Sequence, residues 1–299
     1  MCLGVLGIAV NAAHAVESFL IIDNQTGHIL ASKNPDEKRQ VASLTKIATA
    51  LVVLDWAKLT NADLGELVSV PAQAVEAGSA SGLQTDDLIS LRDLLYGALM
   101  ASDNAAATTL AYHIGRRLPN AEGLDPVGNF VAHMNALARN LTMKHTRFLN
   151  PSGLDHTKGS PPFSTSNDLG RLVRYAYSKS GFPFYVAQET REVHLFRAGQ
   201  PMSIWLKNTN PLLDKEGIDG VKTGRTAKAG DCIILSADRT PESTREGEKV
   251  FITPRRIIVV LLGAQDRSGE GMAFIHKGWD LYDQWAAAGR PLKKSTTLN

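Results

Sequence analysis

Short runs of β-branched and aliphatic residues near both ends of the chain constrain the fold more than any other feature. Residues 230–237 and 256–263 are two such runs bounded by turn residues, and they predict strands. Residues 18–22 and 28–31 flank a glycine-containing segment, which is the pattern of a β-hairpin. Strands so far apart in sequence share one sheet only if the chain between them folds beside it. We therefore expect an α/β (α+β) fold whose sheet is completed from both ends.

Helical spacing characterises the middle of the chain. Apolar positions recur at this spacing from Ser43 onward, and nothing breaks the pattern before Lys58. Residues 90–93 form a capping-box pattern that opens a second helix, and residues 105–114 predict a third. We expect residues of about 65–180 to form a mainly helical subdomain inserted into the α/β frame.

The C-terminal third returns to strands and closes with a helix. Residues 272–288 carry aromatic residues at helical spacing, which predicts a helix packed on the sheet. Residues 240–248 are polar and charged, which predicts an exposed extension of the hairpin between the last two strands. No segment has the composition of a long interdomain linker. We expect one domain over residues 16–288 and a short solvated polar tail at residues 289–299.

The N-terminal residues have the features of an export signal. Residues 1–15 are largely apolar and end in Ala13-His14-Ala15, which has the small-x-small form of a signal-peptidase site. No basic residue precedes the apolar run, which is consistent with a truncated signal peptide. Export would place the protein in the periplasm or the extracellular cell-wall space. No later segment approaches the roughly 20 apolar residues that a membrane-spanning helix needs.

Charge and composition exclude several kinds of partner and cofactor. The 32 basic and 30 acidic residues are interspersed and give a net charge of +2, so the sequence indicates no nucleic-acid-binding surface. The eight histidines are scattered and form no metal-binding motif, so we expect no metal and no other cofactor. The function must therefore be sought in side-chain chemistry.

Three short motifs carry that chemistry: Ser43-Leu-Thr-Lys46, Ser102-Asp-Asn104 and Lys222-Thr-Gly224. Residues three apart on a helix lie on one face, so the Lys46 amine can reach the Ser43 hydroxyl. A serine becomes nucleophilic when a neighbour removes its proton, and a lysine can do so when burial or an adjacent cation such as Lys222 lowers its pKa. The start of a helix also offers free N–H groups to a developing oxyanion.

The other two motifs predict the remaining parts of a peptidase site. Ser102 and Asn104 lie at a predicted junction between helices, where Ser102 can relay a proton to the leaving amine and Asn104 can hold Lys46. Lys222 and Thr223 lie on a predicted strand, and the missing side chain of Gly224 lets an extended peptide approach the backbone. Each motif alone is weak evidence. Their order and their placement on helix, junction and strand together favour a catalytic site.

The chain resembles the low-molecular-mass penicillin-binding proteins, the D-alanyl-D-alanine carboxypeptidase family. Besides the motifs, residues 148–155, 164–168 and 219–224 resemble the family, and the similarity extends over residues of about 18–288. The resemblance implies a β-lactamase/transpeptidase-like fold, with an antiparallel sheet flanked by terminal helices. It also implies that residues 16–288 form a DD-peptidase catalytic domain.

By the same resemblance, each motif residue has an expected role. Ser43 is the acylated nucleophile, Lys46 is its base, and the proton-relay and positioning groups are Ser102, Asn104 and Lys222. The backbone N–H groups of Ser43 and Arg225 resemble the family's oxyanion hole. Thr223, with Arg256 at the head of the last strand, is similar to the residues that bind the carboxylate of the terminal D-alanine.

The implied activity is that of a serine-type D-Ala-D-Ala carboxypeptidase. Its partners would be peptidoglycan stem peptides ending in D-Ala-D-Ala, and β-lactam antibiotics would be covalent inhibitors. Two alternatives remain. The chain resembles short members of the family, and Asn208-Thr-Asn210 resembles those that cut crosslinks as DD-endopeptidases. A class A-like β-lactamase shares the three motifs but needs a glutamate that activates water, and no glutamate lies between Glu122 and Glu189.

Overall fold

A computed structural model describes residues 16–120, 123–155, 159–179, 181–293 and 296–298 of the chain. The signal peptide expected at residues 1–15 lies outside the described residues. The strands are β1 (Ser18–Asp23), β2 (Ile29–Lys33), β3 (Leu67–Ser69), β4 (Leu88–Ser90), β5 (Thr190–Arg197), β6 (Gln200–Lys207), β7 (Ile218–Thr226), β8 (Gly230–Glu246) and β9 (Lys249–Ala264). The α-helices are α1 (Lys46–Thr60), α2 (Ala72–Glu76), α3 (Leu91–Leu99), α4 (Asn104–Gly115), α5 (Pro126–Asn140), α6 (Ser166–Tyr177), α7 (Phe182–Val186) and α8 (Arg267–Ala287).

The main sheet has five antiparallel strands in the order β2-β1-β9-β8-β7. The N-terminal hairpin pairs with the C-terminal strands, as the sequence predicts. Strands β8 and β9 run on beyond the sheet and pair as far as Glu246 and Lys249, which confirms the predicted hairpin extension. Strand β7 is at one edge of the sheet, so one side of its backbone is free to pair with another extended chain.

Both faces of this sheet are buried, which explains the uninterrupted apolar runs of its central strands. Alternate residues such as Ile233 and Val259 pack against Phe274 and Trp279 of α8. The intervening residues, such as Ile234 and Val260, face the core around α1 and α6. The aromatic closing helix is therefore confirmed, although it begins at Arg267 rather than near residue 272.

The middle of the chain is less purely helical than expected. Helices α2 to α7 occupy it, but β3 and β4 lie among them and pair with β5 and β6 in a second antiparallel sheet of order β3-β4-β5-β6. Strands β3 and β4 have only three residues each, too few to show a strand period in the sequence. Helix α1 is buried over most of its circumference, since it packs among α3, α4, α5 and α6.

The C-terminal tail is not simply solvated, contrary to the prediction for residues 289–299. Leu298 is buried in the core beside Leu20 and Gly170. Its backbone N–H donates to Gly27, and its carbonyl accepts a 2.6 Å hydrogen bond from Arg174. One apolar residue within a polar segment is a weak sequence signal, and only its tertiary contacts show that the chain is anchored there. Among the described residues, no helix is both long and apolar enough to cross a membrane.

Candidate active site

Ser43 lies in a 3-10 turn, Ala42–Thr45, that leads directly into α1. A helix therefore does begin near Ser43, as predicted. Its first turn is a 3-10 helix, which is wound more tightly than an α-helix. Ala42 has φ of 48°, a left-handed conformation that is sparsely populated for non-glycine residues and that occurs often at functional sites. Ser43 itself is half-buried, so its hydroxyl can meet a ligand.

Strand β7 passes close to the turn that holds Ser43. A Cβ atom added to Gly224 would lie 3.0 Å from both the Ser43 nitrogen and the Val41 oxygen, and 3.2 Å from the Ala42 Cβ. A side chain at this position would therefore force the strand away from the nucleophile. The third motif needs its glycine for this approach, as well as for access by a substrate backbone.

Lys46 is completely buried and its amine has three hydrogen-bond partners. The Nζ atom lies 2.9 Å from Ser43 Oγ, 2.7 Å from Asn104 Oδ1 and 2.7 Å from the Ser152 carbonyl oxygen. An amide oxygen and a backbone carbonyl can only accept hydrogen bonds. A neutral Lys46 therefore directs its two N–H groups to them and its lone pair to the Ser43 hydroxyl, which is the arrangement of a general base.

The protonation state of Lys46 follows from its surroundings. Burial lowers the pKa of Lys46 to about 7, and the negative charge of Asp103 partly opposes this effect. A substantial fraction of Lys46 is therefore neutral near pH 7. An amine with a pKa near the working pH combines the neutral form with adequate basicity.

The Ser152 carbonyl belongs to a tight turn that sequence reasoning did not assign to the site. Asn150 Oδ1 accepts hydrogen bonds from the backbone N–H groups of Ser152 and Gly153. Gly153 has φ of 80°, and a Cβ atom there would lie 1.9 Å from the Ala42 oxygen. The Asn-Pro-Ser-Gly sequence signals a turn, but only the fold shows that the turn lies against Lys46.

The second motif forms the junction between α3 and α4. Asn104 accepts from Lys46 through Oδ1 and donates through Nδ2 to the Ala77 carbonyl at 3.0 Å, so its amide orientation is fixed. Ser102 has φ of 59° and is half-buried. In the described parts of the chain its hydroxyl has no hydrogen-bond partner, which leaves it available to a ligand.

Asp103 lies between these two residues, and its carboxylate is wholly buried. It accepts hydrogen bonds from the Ser79 hydroxyl, from the backbone N–H and hydroxyl of Ser81, and from the Ala106 N–H. These bonds satisfy the buried charge and tie residues 79–81 to the junction. Asp103 therefore holds the shape of this wall while it also raises the pKa of Lys46.

Lys222 and Thr223 line the β7 side of the site, and both are buried. Burial lowers the pKa of Lys222 well below its usual value, and the positive charges of Lys46 and Arg267 lower it further. The positive charge of Lys46 therefore acts on Lys222, whereas the lowered pKa of Lys46 itself comes from burial rather than from Lys222. The Thr223 hydroxyl lies 2.7 Å from the hydroxyl of Thr209.

Arg256 does not lie with these residues, and the expectation that it binds a substrate carboxylate needs correction. In β9 it pairs across the sheet with Asp238, and its Nη1 donates to both oxygens of Asp219 and to Ser236 Oγ. Its guanidinium also lies over the ring of Tyr177. The basic residue near Lys222 is instead Arg267, at the start of α8, whose Nη1 lies 3.6 Å from Asp231.

Arg225 and Arg267 both lie near the carboxylate of Asp231. The Arg225 Nε lies 3.5 Å from Asp231 Oδ1, and the Arg225 side chain is exposed. Two arginines and one aspartate leave an excess of positive charge beyond Gly224. No period or motif singles out Arg267, since the start of α8 lies near β7 only in the folded chain.

Asp155 and Asp168, two aspartates in the stretch that lacks a glutamate, both have structural partners. Asp168 is buried and accepts hydrogen bonds from the His145 N–H and the Thr146 hydroxyl. Asp155 accepts from the Thr226 hydroxyl at 2.7 Å. Neither contacts Ser43 or Lys46, so the geometry favours no β-lactamase-like base.

Comparisons with known proteins agree with this geometry. A family model described as D-alanyl-D-alanine carboxypeptidase matches residues 7–245. The D-alanyl-D-alanine endopeptidase of Pseudomonas aeruginosa is 32% identical over 242 residues, which cover 79% of this chain and 72% of that protein. The D-alanyl-D-alanine endopeptidase of Escherichia coli is 33% identical over 225 residues, which cover 73% of this chain and 66% of that protein, and several other matching relatives are named carboxypeptidases. This chain spans between 53% and 75% of the length of the curated relatives it matches.

Solved structures share the fold over most of the chain. The Streptomyces K15 DD-transpeptidase superposes with a TM-score of 0.76 and 28% identity, covering 90% of this chain and 98% of that one. Penicillin-binding protein D2 from Listeria monocytogenes, in its ampicillin-bound form, gives a TM-score of 0.70 and 27% identity, with 90% and 99% coverage. The resemblance indicated by the three motifs is thus confirmed, and the chain belongs to the D-alanyl-D-alanine carboxypeptidase family.

Proposed function

We propose that this protein is a serine-type D-Ala-D-Ala carboxypeptidase that acts on peptidoglycan stem peptides through an acyl-enzyme on Ser43. The observation that carries the proposal is the hydrogen-bond set of Lys46, which directs the amine's lone pair to Ser43 Oγ. Family membership supports the same activity.

In the first half of the reaction, Ser43 Oγ attacks the carbonyl carbon before the terminal D-alanine, and its proton passes to Lys46. The backbone N–H groups of Ser43 and Arg225 would hold the oxyanion. The C–N bond then breaks, and a proton relayed through Ser102 converts the leaving nitrogen to the amine of free D-alanine. Water attacks the resulting ester, which releases the shortened peptide and restores Ser43.

Substrate binding relies on β7 and on the positive charge beyond it. An extended stem peptide would pair with the free edge of β7 at Gly224. We assign the terminal carboxylate to the Thr223 hydroxyl and to Arg267, in place of Arg256. Charge-assisted hydrogen bonds of this kind are stronger than neutral ones.

DD-endopeptidase activity is the second candidate. The similarity to an endopeptidase named in Pseudomonas aeruginosa favours it. Thr209, the central residue of Asn208-Thr-Asn210, also lies against Thr223, so this segment borders the position proposed for the leaving group. The two activities share the acyl-enzyme and differ only in the amine that leaves.

Export to the periplasm or cell-wall space, directed by residues 1–15, is part of the proposal because the substrate lies outside the cytoplasm. Residues 16–288 would form the catalytic domain. Peptidoglycan stem peptides are the proposed partners, and β-lactams the proposed covalent inhibitors. The ampicillin-bound structure of the Listeria relative supports the latter.

Intact mass spectrometry after incubation with a β-lactam tests this function. We expect a stoichiometric adduct that is lost only slowly from the wild-type protein, and none on Ser43→Ala. Rapid turnover of the antibiotic would favour a β-lactamase instead. Product analysis with a stem pentapeptide and with a crosslinked dimer then separates carboxypeptidase from endopeptidase.

A further inference from the structure

The outer face of the second sheet carries large apolar side chains that stay exposed in the part of the chain that the structure describes. Leu67, Leu88, Phe196 and Trp205 are 48%, 41%, 40% and 69% exposed. Each lies in a strand, and the opposite face of that sheet is buried against the helical region. A cluster of exposed apolar residues on an ordered sheet is a common feature of binding surfaces.

The strand register places these residues on one face. Leu88 pairs with Phe196, Phe196 with Pro201, and Glu192 with Trp205. Between them His194 pairs with Ser203, and their side chains are hydrogen-bonded at 3.0 Å. The surface therefore combines flat aromatic groups with hydroxyl, imidazole and carboxylate groups. We call it the outer platform.

One end of the outer platform leads into the active site. Strand β6 continues into Asn208-Thr-Asn210, where the Thr209 N–H donates to the Met100 carbonyl at the end of α3. The Thr209 hydroxyl then contacts Thr223 of the third motif. Trp205 precedes Thr209 by four residues, which is about 13 Å of extended chain.

The other end of the outer platform is joined to the opposite wall of the site. Arg197 forms a two-point ion pair with the buried carboxylate of Asp87 and also donates to the Gly82 carbonyl. From there the chain runs back through residues 79–81, which Asp103 holds, to the Ala77 carbonyl that accepts from Asn104. The platform is thus fixed relative to both sides of the catalytic site.

We propose that the outer platform binds the glycan strand of peptidoglycan while the attached stem peptide occupies the active site. The proposal rests on the proposed function. Pyranose rings present flat C–H faces that pack on aromatic rings, and their hydroxyl and acetamido groups can hydrogen-bond to His194, Ser203 and Glu192. An extended peptide spans about 3.3–3.6 Å per residue, so a stem of a few residues covers the distance from Trp205 to the site.

The experiment compares two substrates of the full-length protein. One is a soluble stem pentapeptide without sugar, and the other is isolated sacculi. We expect Trp205→Ala to lower the rate on sacculi by about five- to tenfold, with the rate on the pentapeptide within twofold of wild type. Phe184→Ala is the control, because Phe184 is also aromatic and 69% exposed but lies on α7. It should leave both rates unchanged.

Glycan binding is also measured directly, so that a failure of the proposed function can be distinguished. Ser43→Ala protein is sedimented with glycan strands stripped of stem peptides, with and without Trp205→Ala. Binding that depends on Trp205 supports the platform even if the wild-type protein hydrolyses neither substrate. The proposal would be overturned if Trp205→Ala lowered the rates on both substrates equally or left the rate on sacculi unchanged. It would also be overturned if glycan binding did not depend on Trp205, or if the protein formed a concentration-dependent dimer that Trp205→Ala abolishes.

Discussion

Positively charged side chains lie at both ends of β7, but only at one end are they matched by nearby carboxylates. At its N-terminal end, Arg256 is hydrogen-bonded to Asp219 and Ser236 and lies 3.4 Å from Asp238. At its C-terminal end, the cations outnumber the carboxylates that lie near them. The cations are Lys46, Lys222, Arg225 and Arg267, and the carboxylates near them are Asp103 and Asp231.

The difference separates a structural cluster from a binding site. A guanidinium that already has two carboxylate partners gains little from an anionic ligand. Excess buried positive charge lowers lysine pKa values and attracts an anion, and both effects serve a peptidase that uses a lysine base and a substrate with a free carboxylate. Arg256 therefore belongs to a structural cluster, and Arg267 is the arginine that we propose for the substrate carboxylate.

Lys46→Arg provides the strongest test of the catalytic end. Arginine keeps the positive charge but stays protonated at every accessible pH, so it cannot take the proton of Ser43. We expect the acylation rate by a β-lactam to fall on the order of 10³-fold, as measured by stopped-flow fluorescence. Lys58→Arg, on an exposed position at the other end of α1, is the matched control. Acylation within tenfold of wild type would exclude Lys46 as the base.

Arg267→Ala tests the excess charge beyond Gly224. We expect kcat/KM for a peptide with a free C-terminal carboxylate to fall about 10- to 100-fold, since hydrogen bonds to charged groups are worth roughly 1.5–3 kcal/mol. With a C-terminally amidated peptide, the variant and the wild type should differ little. A deficit that is equal for both peptides would mean that Arg267 does not bind the carboxylate.

Arg256→Ala tests the N-terminal end of β7, where the arginine is bound to carboxylates. Removing the guanidinium leaves Asp219 partly buried without its cation, so we expect the free energy of unfolding in urea to fall by about 1–3 kcal/mol. The kcat/KM should remain within twofold of wild type. The double variant Arg256→Ala with Asp219→Asn should recover part of the stability. A selective loss of activity in a stable Arg256→Ala protein would reverse the assignment of the two arginines.

Of the four substitutions, we expect Asp103→Asn to have the smallest effect, which is a shift in the pH dependence of the acylation rate. The Asp103 carboxylate favours the ammonium form of Lys46 and so raises its pKa, against the larger opposing effect of burial. Removing the charge should lower that pKa further. Because the pKa of Lys46 is lowered to about 7, we expect the acidic limb of the acylation rate to rise through about pH 7 in the wild type and to move to lower pH in Asp103→Asn.

The control for this shift is Asp155→Asn, because Asp155 is bound to Thr226 rather than placed beside Lys46. Lys222 and Arg267 are present in both variants, so their charges do not alter the comparison. An unchanged limb in Asp103→Asn, or an equal shift in both variants, would show that Asp103 acts only through the hydrogen bonds that hold residues 79–81.

Local sequence patterns predicted the elements whose signals are long or chemically specific. The runs at residues 230–237 and 256–263 became central strands because both faces of their sheet are buried. Ser90 caps α3 through the predicted hydrogen bond to the Asp93 N–H. Short strands were missed: β3 and β4 form because they pair with each other and β4 pairs with the distant strand β5.

By itself, the sequence determined the family, the antiparallel sheet built from both ends, and the three motifs that meet around Ser43. These follow from periodicity and from side-chain chemistry at short spacing. The tertiary structure alone decided that the Ser152 carbonyl orients Lys46, that Arg267 rather than Arg256 lies near Lys222, and that Leu298 is anchored in the core. Each of these depends on which distant segments pack together, and no local pattern in a single sequence encodes that choice.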